Sequence, residues 1–314
     1  MKKKISVVIP SFNEEGNIHE LVQRLTAVLD TVPYTYEVIF VDDGSSDKTL
    51  ELLKSVSVAN SNLFYLEFSR NFGHQNALKA GHDYADGDCI ISMDGDLQHP
   101  PELIPQFLEK WEEGYDVVYT MREYQDETTY FKTKSSEIFY NMINSLSDTK
   151  LEQGTADFRL IDRKVANVLN HITESGLFMR GMIKWLGFKQ YGINYKCDER
   201  FSGKSKYTFK KMINFAIQGI TAFSVRPLYI ATGLGAFFSL MSLLYIPYIL
   251  ISYLYFPNHI VAGWTSILAT VVFFGGIQLM VLGIIGIYIG KMFIQTKNRP
   301  NYIVRSTNLI RLNQ

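Results

Sequence analysis

The chain has only two cysteines in 314 residues, Cys89 and Cys197. That excludes the small disulfide-stapled folds and fits a reducing compartment. Histidine is sparse too: the six show no metal-ligand spacing and read as ordinary polar residues, so a His/Cys metal centre is not expected. No low-complexity segment and no internal repeat is present, which removes solenoids and fibrous folds. The apolar run after Lys2-Lys3-Lys4 ends at Pro10, too short for the core of a signal peptide.

Charge is the most informative absence. From Pro227 to Gly290, 64 residues carry no charged side chain, and after Arg226 there is no Asp or Glu at all. The formal net charge of zero therefore hides a split. Residues 227–314 hold five basic and no acidic residues, whereas 1–226 hold 26 basic against 31 acidic. A soluble surface needs charges. The uncharged stretch divides into spans at 228–255 and 263–289, each longer than the ~20 residues a helix needs to cross a bilayer. A buried helical hairpin of a soluble core is the competing reading, disfavoured by this length. Glycines within the spans suit close helix packing in lipid and are compatible with self-association. Basic residues flank the pair on both outer sides while the connecting loop has none, so both termini are expected in the cytoplasm.

What is present upstream is strand–helix alternation. Ile5–Ile9, Glu37–Val41, Leu63–Leu66, Cys89–Met93 and Asp116–Tyr119 read as strands, separated by amphipathic stretches at Asn17–Leu29, Lys48–Val56 and Gln75–Tyr84. Near-continuous apolar strands of this kind argue for an α/β fold with a mostly parallel sheet covered on both faces. Ligands of such sheets bind beyond the carboxyl ends of the strands. Polar clusters sit at four of those ends: Ser11–Glu15, Asp42–Asp47, Ser69–Gln75 and Asp94–Gln98. Beyond Thr129 the pattern predicts a helix at Phe131–Leu146, a strand at Asp157–Ile161 and another near Lys189–Tyr195. Residues Tyr207–Phe223 place their apolar side chains on one helical face behind Lys206, as an interfacial helix would; a core-packing helix is the duller alternative.

Asp94-Gly95-Asp96 closes an apolar strand with two carboxylates, and Gly95 is expected to make the turn between them. Oxygen donors at this spacing suit Mg²⁺ or Mn²⁺ holding phosphate oxygens. An aspartyl-phosphate phosphatase would want Thr or Val where Gln98 stands, and a calcium loop would need a further acidic residue or Asn followed by Gly. Neither fits.

Taken in order, Val8-Ile9-Pro10-Ser11-Phe12-Asn13-Glu14-Glu15, Val41-Asp42-Asp43-Gly44-Ser45-Ser46-Asp47, Arg70-Asn71-Phe72-Gly73 and Asp94-Gly95-Asp96-Leu97-Gln98 resemble the family 2 glycosyltransferases with the GT-A, Rossmann-like fold. More closely, nearly the whole chain resembles the polyprenyl-phosphate glycosyltransferases, a group that includes dolichol-phosphate mannose synthase and the bacterial GtrB-type glucosyltransferases. The resemblance implies a nucleotide-sugar site lined by Pro10, Asn13, Glu14, Asp42 and Asp94, with Arg200 reaching the diphosphate. It implies a metal at Asp94 and Asp96 with Gln98 beside it, and catalytic roles for Asp157 and Asp96. Arg122, Lys132 and Ser136, with Ser205 and Lys206 of Arg200-Phe201-Ser202-Gly203-Lys204-Ser205-Lys206-Tyr207, lie where the family binds the acceptor phosphate. Lys132 stands where several relatives have Arg, so a bidentate contact there becomes a point contact.

A phosphomonoester acceptor has its second pKa near 6. It needs little deprotonation, so Asp157 is expected to orient acceptor and cation rather than act as a base.

The implied organisation is a cytoplasmic catalytic domain at 1–204, a juxtamembrane amphipathic helix at 205–226, two membrane helices within 227–291 and a basic cytoplasmic tail at 292–314. The implied activity is inverting transfer of a hexose to polyprenyl phosphate at the inner (cytoplasmic) membrane. UDP-glucose is the first candidate donor; GDP-mannose and UDP-linked amino or deoxy sugars stay open. Nucleic acid is not an expected partner. A processive polysaccharide synthase would need a Gln-x-x-Arg-Trp motif and more spans, both missing here. A scaffold that merely binds nucleotide would have no use for Asp157.

Overall fold

The computed structural model describes residues 2–122, 154–174, 176–195, 224–255 and 263–309. They fall into two compact units. Of the described residues, those up to 195 and from 300 form one, and 224–255 with 263–299 form the other.

The first unit is an eight-stranded mixed sheet. Its strands are β1 (Lys4–Ser11), β2 (Thr35–Asp42), β3 (Leu63–Phe68), β4 (Cys89–Ser92), β5 (Val117–Arg122), β6 (Thr155–Asp162), β7 (Gln190–Tyr195) and β8 (Val304–Thr307), in the order β7-β5-β6-β4-β1-β2-β3-β8. β1 pairs in parallel with β2 and β4, β2 with β3, and β5 with β7; β6 and β8 run against their neighbours. The expected mostly parallel sheet is thus present, with two reversed strands.

The packing of β1 explains why its sequence is mostly apolar. Ile5, Val7 and Ile9 pack into a core with Leu21, Leu25 and Leu29 of helix α1 (Ile18–Leu29) and Phe107 of α4 (Ile104–Glu112). Val8, on the opposite face, meets Gly81 of α3 (His74–Tyr84). Both sheet faces are covered, so alternate positions have no reason to be polar. α2 (Thr49–Ala59) packs beside β3. After β6 the chain forms α5 (Arg163–Asn170), whose N-terminus is capped by the Asp162 side chain, and then the short α6 (Met179–Trp185).

The assignment of 292–314 to a tail needs revision, because Val304–Thr307 is the edge strand β8. Four residues with Arg and Ser in them give no readable alternation. The strand is held instead by specific side chains. Tyr302 stacks on Phe68 with ring centroids 5.4 Å apart and donates its hydroxyl hydrogen to Asp83 at 2.9 Å. Arg305 donates to Glu67 and to the Ser69 carbonyl, and the Ser306 hydroxyl donates to Glu67 at 2.6 Å. Tyr302→Ala is expected to remove the stacked ring and the hydrogen bond together. The destabilisation is about 2–3 kcal/mol, read as a fall of roughly 5 °C in the Tm of the purified chain.

The second unit contains α7 (Arg226–Tyr255) and α8 (Trp264–Thr296), packed antiparallel. Phe238 meets Phe273 and Phe274 edge-on at 5.6 Å each, and the Tyr288 hydroxyl donates to the Ser224 carbonyl at 2.7 Å. Among the described residues one helical segment, Phe273–Thr296, is long and apolar enough to cross a membrane, with a mean hydropathy of 2.0. α8 continues through Lys291 to Thr296, past the expected end at 289. Gly290-Lys291 is no helix terminator; the stop comes at Asn298, whose φ of +47° is left-handed, followed by Pro300. The expected helix at 131–146 and the amphipathic helix over 207–223 lie outside the described residues.

Candidate active site

β1 to β4 share one direction, so their carboxyl ends open on one edge. Ser11 pairs with Asp42, and Asp42 with Glu67. The loops that follow are tied to one another. The Asn13 N–H donates to Ser45 Oγ at 3.0 Å, its Oδ1 accepts from the Ser46 N–H at 2.8 Å, and the Glu14 N–H donates to Thr49 Oγ1 at 2.8 Å. Asn13 adopts φ +56°, a left-handed conformation that Asn tolerates well. Asp42 is 1% exposed and accepts from the Ser45 N–H; burial pushes its carboxyl pKa up. Its neighbour Asp43 accepts from the backbone N–H groups of Phe72 and Gly73 at 2.6 and 3.0 Å, which fastens the Arg70–Gly73 loop to the Asp42–Asp47 loop.

The turn after β4 differs from expectation. Gly95 is not left-handed; Leu97 is, at φ +62° and almost fully buried. A buried leucine in this conformation stores backbone strain of about 1–2 kcal/mol, of the sort found at functional loops. Asp96 Oδ1 accepts from the Gln98 N–H at 3.1 Å. The Asp94 N–H donates to Nδ1 of His99 at 2.9 Å, so that nitrogen bears no proton and Nε2 does. His99 is 3% exposed and stacks on Phe158, and burial lowers its pKa, keeping it neutral.

Because β6 runs against β4, its first residues arrive where β4 ends: Ser92 pairs with Arg159, and Asp157 lies just beyond. Arg180 of α6 holds Asp157 in a two-pronged contact, Nε to Oδ1 and Nη2 to Oδ2, each 2.7 Å. Burial alone would raise the Asp157 pKa. The Arg180 charge and hydrogen bonds, helped by His74, hold it well below the usual carboxylate range. His74, at the first turn of α3, places Nε2 3.4 Å from Asp94 Oδ1 and 3.5 Å from Asp157 Oδ2. Crowding would lower its pKa, but the two carboxylates raise it to about 9.

Asp94 Oδ1 is buried without a hydrogen-bond partner among the described residues. With His74 beside Asp94 Oδ1, at 3.4 Å, the oxygen donors of Asp94, Asp96 and Gln98 in one loop suit a hard divalent cation. Among the described residues no group of three His, Cys, Asp or Glu side chains converges for a closed metal cage. An open site fits a cation that shares its coordination with a ligand's phosphates.

Of the residues singled out from sequence, the fold brings Pro10, Asn13, Glu14, Asp42, Asp94, Asp96, Gln98, Arg122 and Asp157 to this edge. Gln98 Oε1 faces Arg122 Nη2 at 3.4 Å, joining the expected metal side to the expected acceptor side. Lys132, Ser136, Arg200, Ser205 and Lys206 lie outside the described residues. His74, His99 and Arg180 were not anticipated. A search for metal-ligand spacing passes over histidines that contact carboxylates across the fold, and Arg180 carries no local signal.

The sequence profile described as glycosyl transferase family 2 matches residues 6–169. An uncharacterized glycosyltransferase of Bacillus subtilis is 42% identical over 302 residues, covering 96% of this chain and 93% of its own. A prophage-derived bactoprenol glucosyl transferase of Shigella flexneri is 39% identical over 305 residues, covering 97% and 98%. The solved mannosyl-3-phosphoglycerate synthase of Rubrobacter xylanophilus superposes with a TM-score of 0.49 at 15% identity, over 70% of this chain and 72% of that one.

Proposed function

The chain belongs to glycosyl transferase family 2, and from that premise we propose that it transfers a hexose from a nucleotide sugar to a polyprenyl phosphate at a membrane surface. The observation that carries this reading is the meeting of Asp94, His74 and Asp157 at one sheet edge, beside the Gln98–Arg122 contact. The arrangement offers a phosphate-facing carboxylate pair on one side and a fixed carboxylate with a cation on the other.

In the proposed reaction a lipid phosphate oxygen attacks C1 of the sugar. The C1–O bond to the nucleoside diphosphate breaks as the C1–O bond to the lipid phosphate forms, and the anomeric centre inverts. No enzyme nucleophile takes part, and no proton has to move. Asp94 and Asp96, with Gln98 near, would hold Mg²⁺ or Mn²⁺, which supplies charge neutralisation to the departing diphosphate. Pro10, Asn13, Glu14 and Asp42 would shape the nucleotide pocket, and Arg200 would reach the diphosphate. Arg122, Lys132, Ser136, Ser205 and Lys206 would receive the acceptor phosphate.

Asp157 is already ionised and tightly paired, which makes it a poor base and a good fixed charge. Asp157→Asn should lower turnover about 10²-fold, with no recovery when the assay pH is raised from 7 to 9. A large recovery at high pH would point to general-base chemistry instead.

For the membrane side, α7 and α8 would form a two-span hairpin within 227–291, preceded by the interfacial helix of 205–226. β7, before the hairpin in the chain, and β8, after it, belong to one sheet, which supports an even number of crossings. The basic flanks support a cytoplasmic catalytic unit and a location in the cytoplasmic membrane. Self-association would run through the glycine-bearing spans.

The direct test is the full chain in detergent with Mn²⁺, labelled UDP-glucose and undecaprenyl phosphate, with GDP-mannose and amino- or deoxy-sugar nucleotides as the panel. A labelled lipid is expected. EDTA should abolish its formation, and added Mn²⁺ or Mg²⁺ should restore it. Were no sugar nucleotide to react, the reading would be wrong.

A further inference from the structure

We propose that Arg180 is the positioning residue for Asp157, and that the two side chains work as one unit on the acceptor side of the site. This rests on the transferase reading above.

Three observations carry it. The guanidinium meets both carboxylate oxygens at 2.7 Å, the parallel fork that fixes a carboxylate's plane as well as its place. Its third contact, Nη1 to the Thr155 carbonyl at 2.9 Å, ties it to the first residue of β6, so that Asp157 and its partner share one backbone reference. The helix that presents Arg180 is itself anchored, because Met179, Met182 and Ile183 are all at most 3% exposed.

Neutralising a buried charge does not require this geometry. Arg159 lies 3.8 Å from Asp157 Oδ1 and His74 lies 3.5 Å from Oδ2, so other cations already surround the carboxylate. Arg159, however, donates its Nη2 hydrogen to the Ala156 carbonyl at 2.8 Å and leaves the orientation of Asp157 to Arg180. Arg180 is 31% exposed at the side chain, whereas Asp157 is 5%. The arginine therefore reaches the open edge of the site while its fork faces inward. A lysine would restore the charge and lose the fork.

The test is a kinetic double-mutant cycle on the full chain, assayed for lipid-linked sugar. Arg180→Lys should lower kcat about 10²-fold, with KM for the nucleotide sugar within twofold and Tm near that of the parent. Combining it with Asp157→Asn should give a turnover no lower than Asp157→Asn alone, because the arginine has then lost the group through which it acts. Arg180→Gln serves as a second variant and should behave in the same way.

Losses that multiply in the double variant would overturn the proposal while leaving the transferase reading intact. So would a loss that tracks a fall in Tm, or a failure of both Arg180 variants to fold, since either outcome would make the pair a structural salt bridge. An unmodified chain that transfers no sugar would overturn both.

Discussion

Asp94→Asn should lower transfer about 10³-fold and leave a chain that no longer responds to added Mn²⁺. The substitution is nearly isosteric, so the fold loses little volume. The Asp94 N–H that donates to His99 is backbone and stays in place. What disappears is the negative charge of a carboxylate whose Oδ1 makes no hydrogen bond among the described residues and has His74 Nε2 3.4 Å away. Its neighbour His74, 3.4 Å away, leaves room in its coordination for a cation. Retention of more than a tenth of the activity would show that the loop does not face the leaving diphosphate.

The same variant has a pH signature in the absence of divalent cation. His74 is held at a pKa of about 9 against an ordinary value of 6.5. A raised pKa in the folded state means that the stabilisation is fully present below 6.5 and is lost as pH rises through about 9. Asp94 is one of two carboxylates responsible. The Tm difference between the parent and Asp94→Asn should therefore narrow across pH 6.5–9. A constant difference would mean that His74 is not paired as the structure has it.

Gly44→Ala should destabilise the chain by about 3 kcal/mol and abolish detectable transfer. Two effects add at this position. Its φ of +70° is a conformation that alanine adopts at a cost of about 1–2 kcal/mol. An added Cβ would also lie 2.7 Å from the Arg70 carbonyl carbon and 2.7 Å from the Asn71 nitrogen. Both are backbone atoms, so the Arg70–Gly73 loop has to move as a body. That motion breaks the bonds from Phe72 and Gly73 to Asp43 and carries His74 away from Asp94 and Asp157. Gly114→Ala is the matching control. Its φ is +87° but nothing lies within 4 Å of the added carbon, so it should lose about 1 kcal/mol and no activity. Equal behaviour of the two variants would mean that the close approach at Gly44 carries no weight.

The central strands were readable because burial on both faces leaves a mark that survives without any alignment. Ile5, Val7, Val8 and Ile9 are all fully buried, and no competing helix period fits the run. The polar loops were readable for the complementary reason: parallel strands put their carboxyl ends on one edge. Contacts that depend on a crossover were not readable. His74 and Asp157 are far apart in sequence, and their meeting follows from β6 running backwards, which no local pattern encodes. The turn at Leu97 was missed because glycine is the usual bearer of such geometry, and Gly95 stands two residues away. β8 escaped because it is four residues long and secured by side-chain bonds rather than by a hydrophobic face.

β8 also sets an order of assembly. The strand that completes the sheet beside β3 is made after α8, so the edge of β3 stays open while both long helices are being synthesised. An open strand edge is a template for wrong partners. Closing it brings Val304–Thr307 back to a sheet whose other seven strands all precede α7 in the chain. Until the strand arrives, the Glu67 side chain is without Ser306 and Arg305. The last strand thus makes completion of the sheet a late step of synthesis: a chain that stops before Val304 leaves the edge of β3 exposed for proteases and chaperones to find.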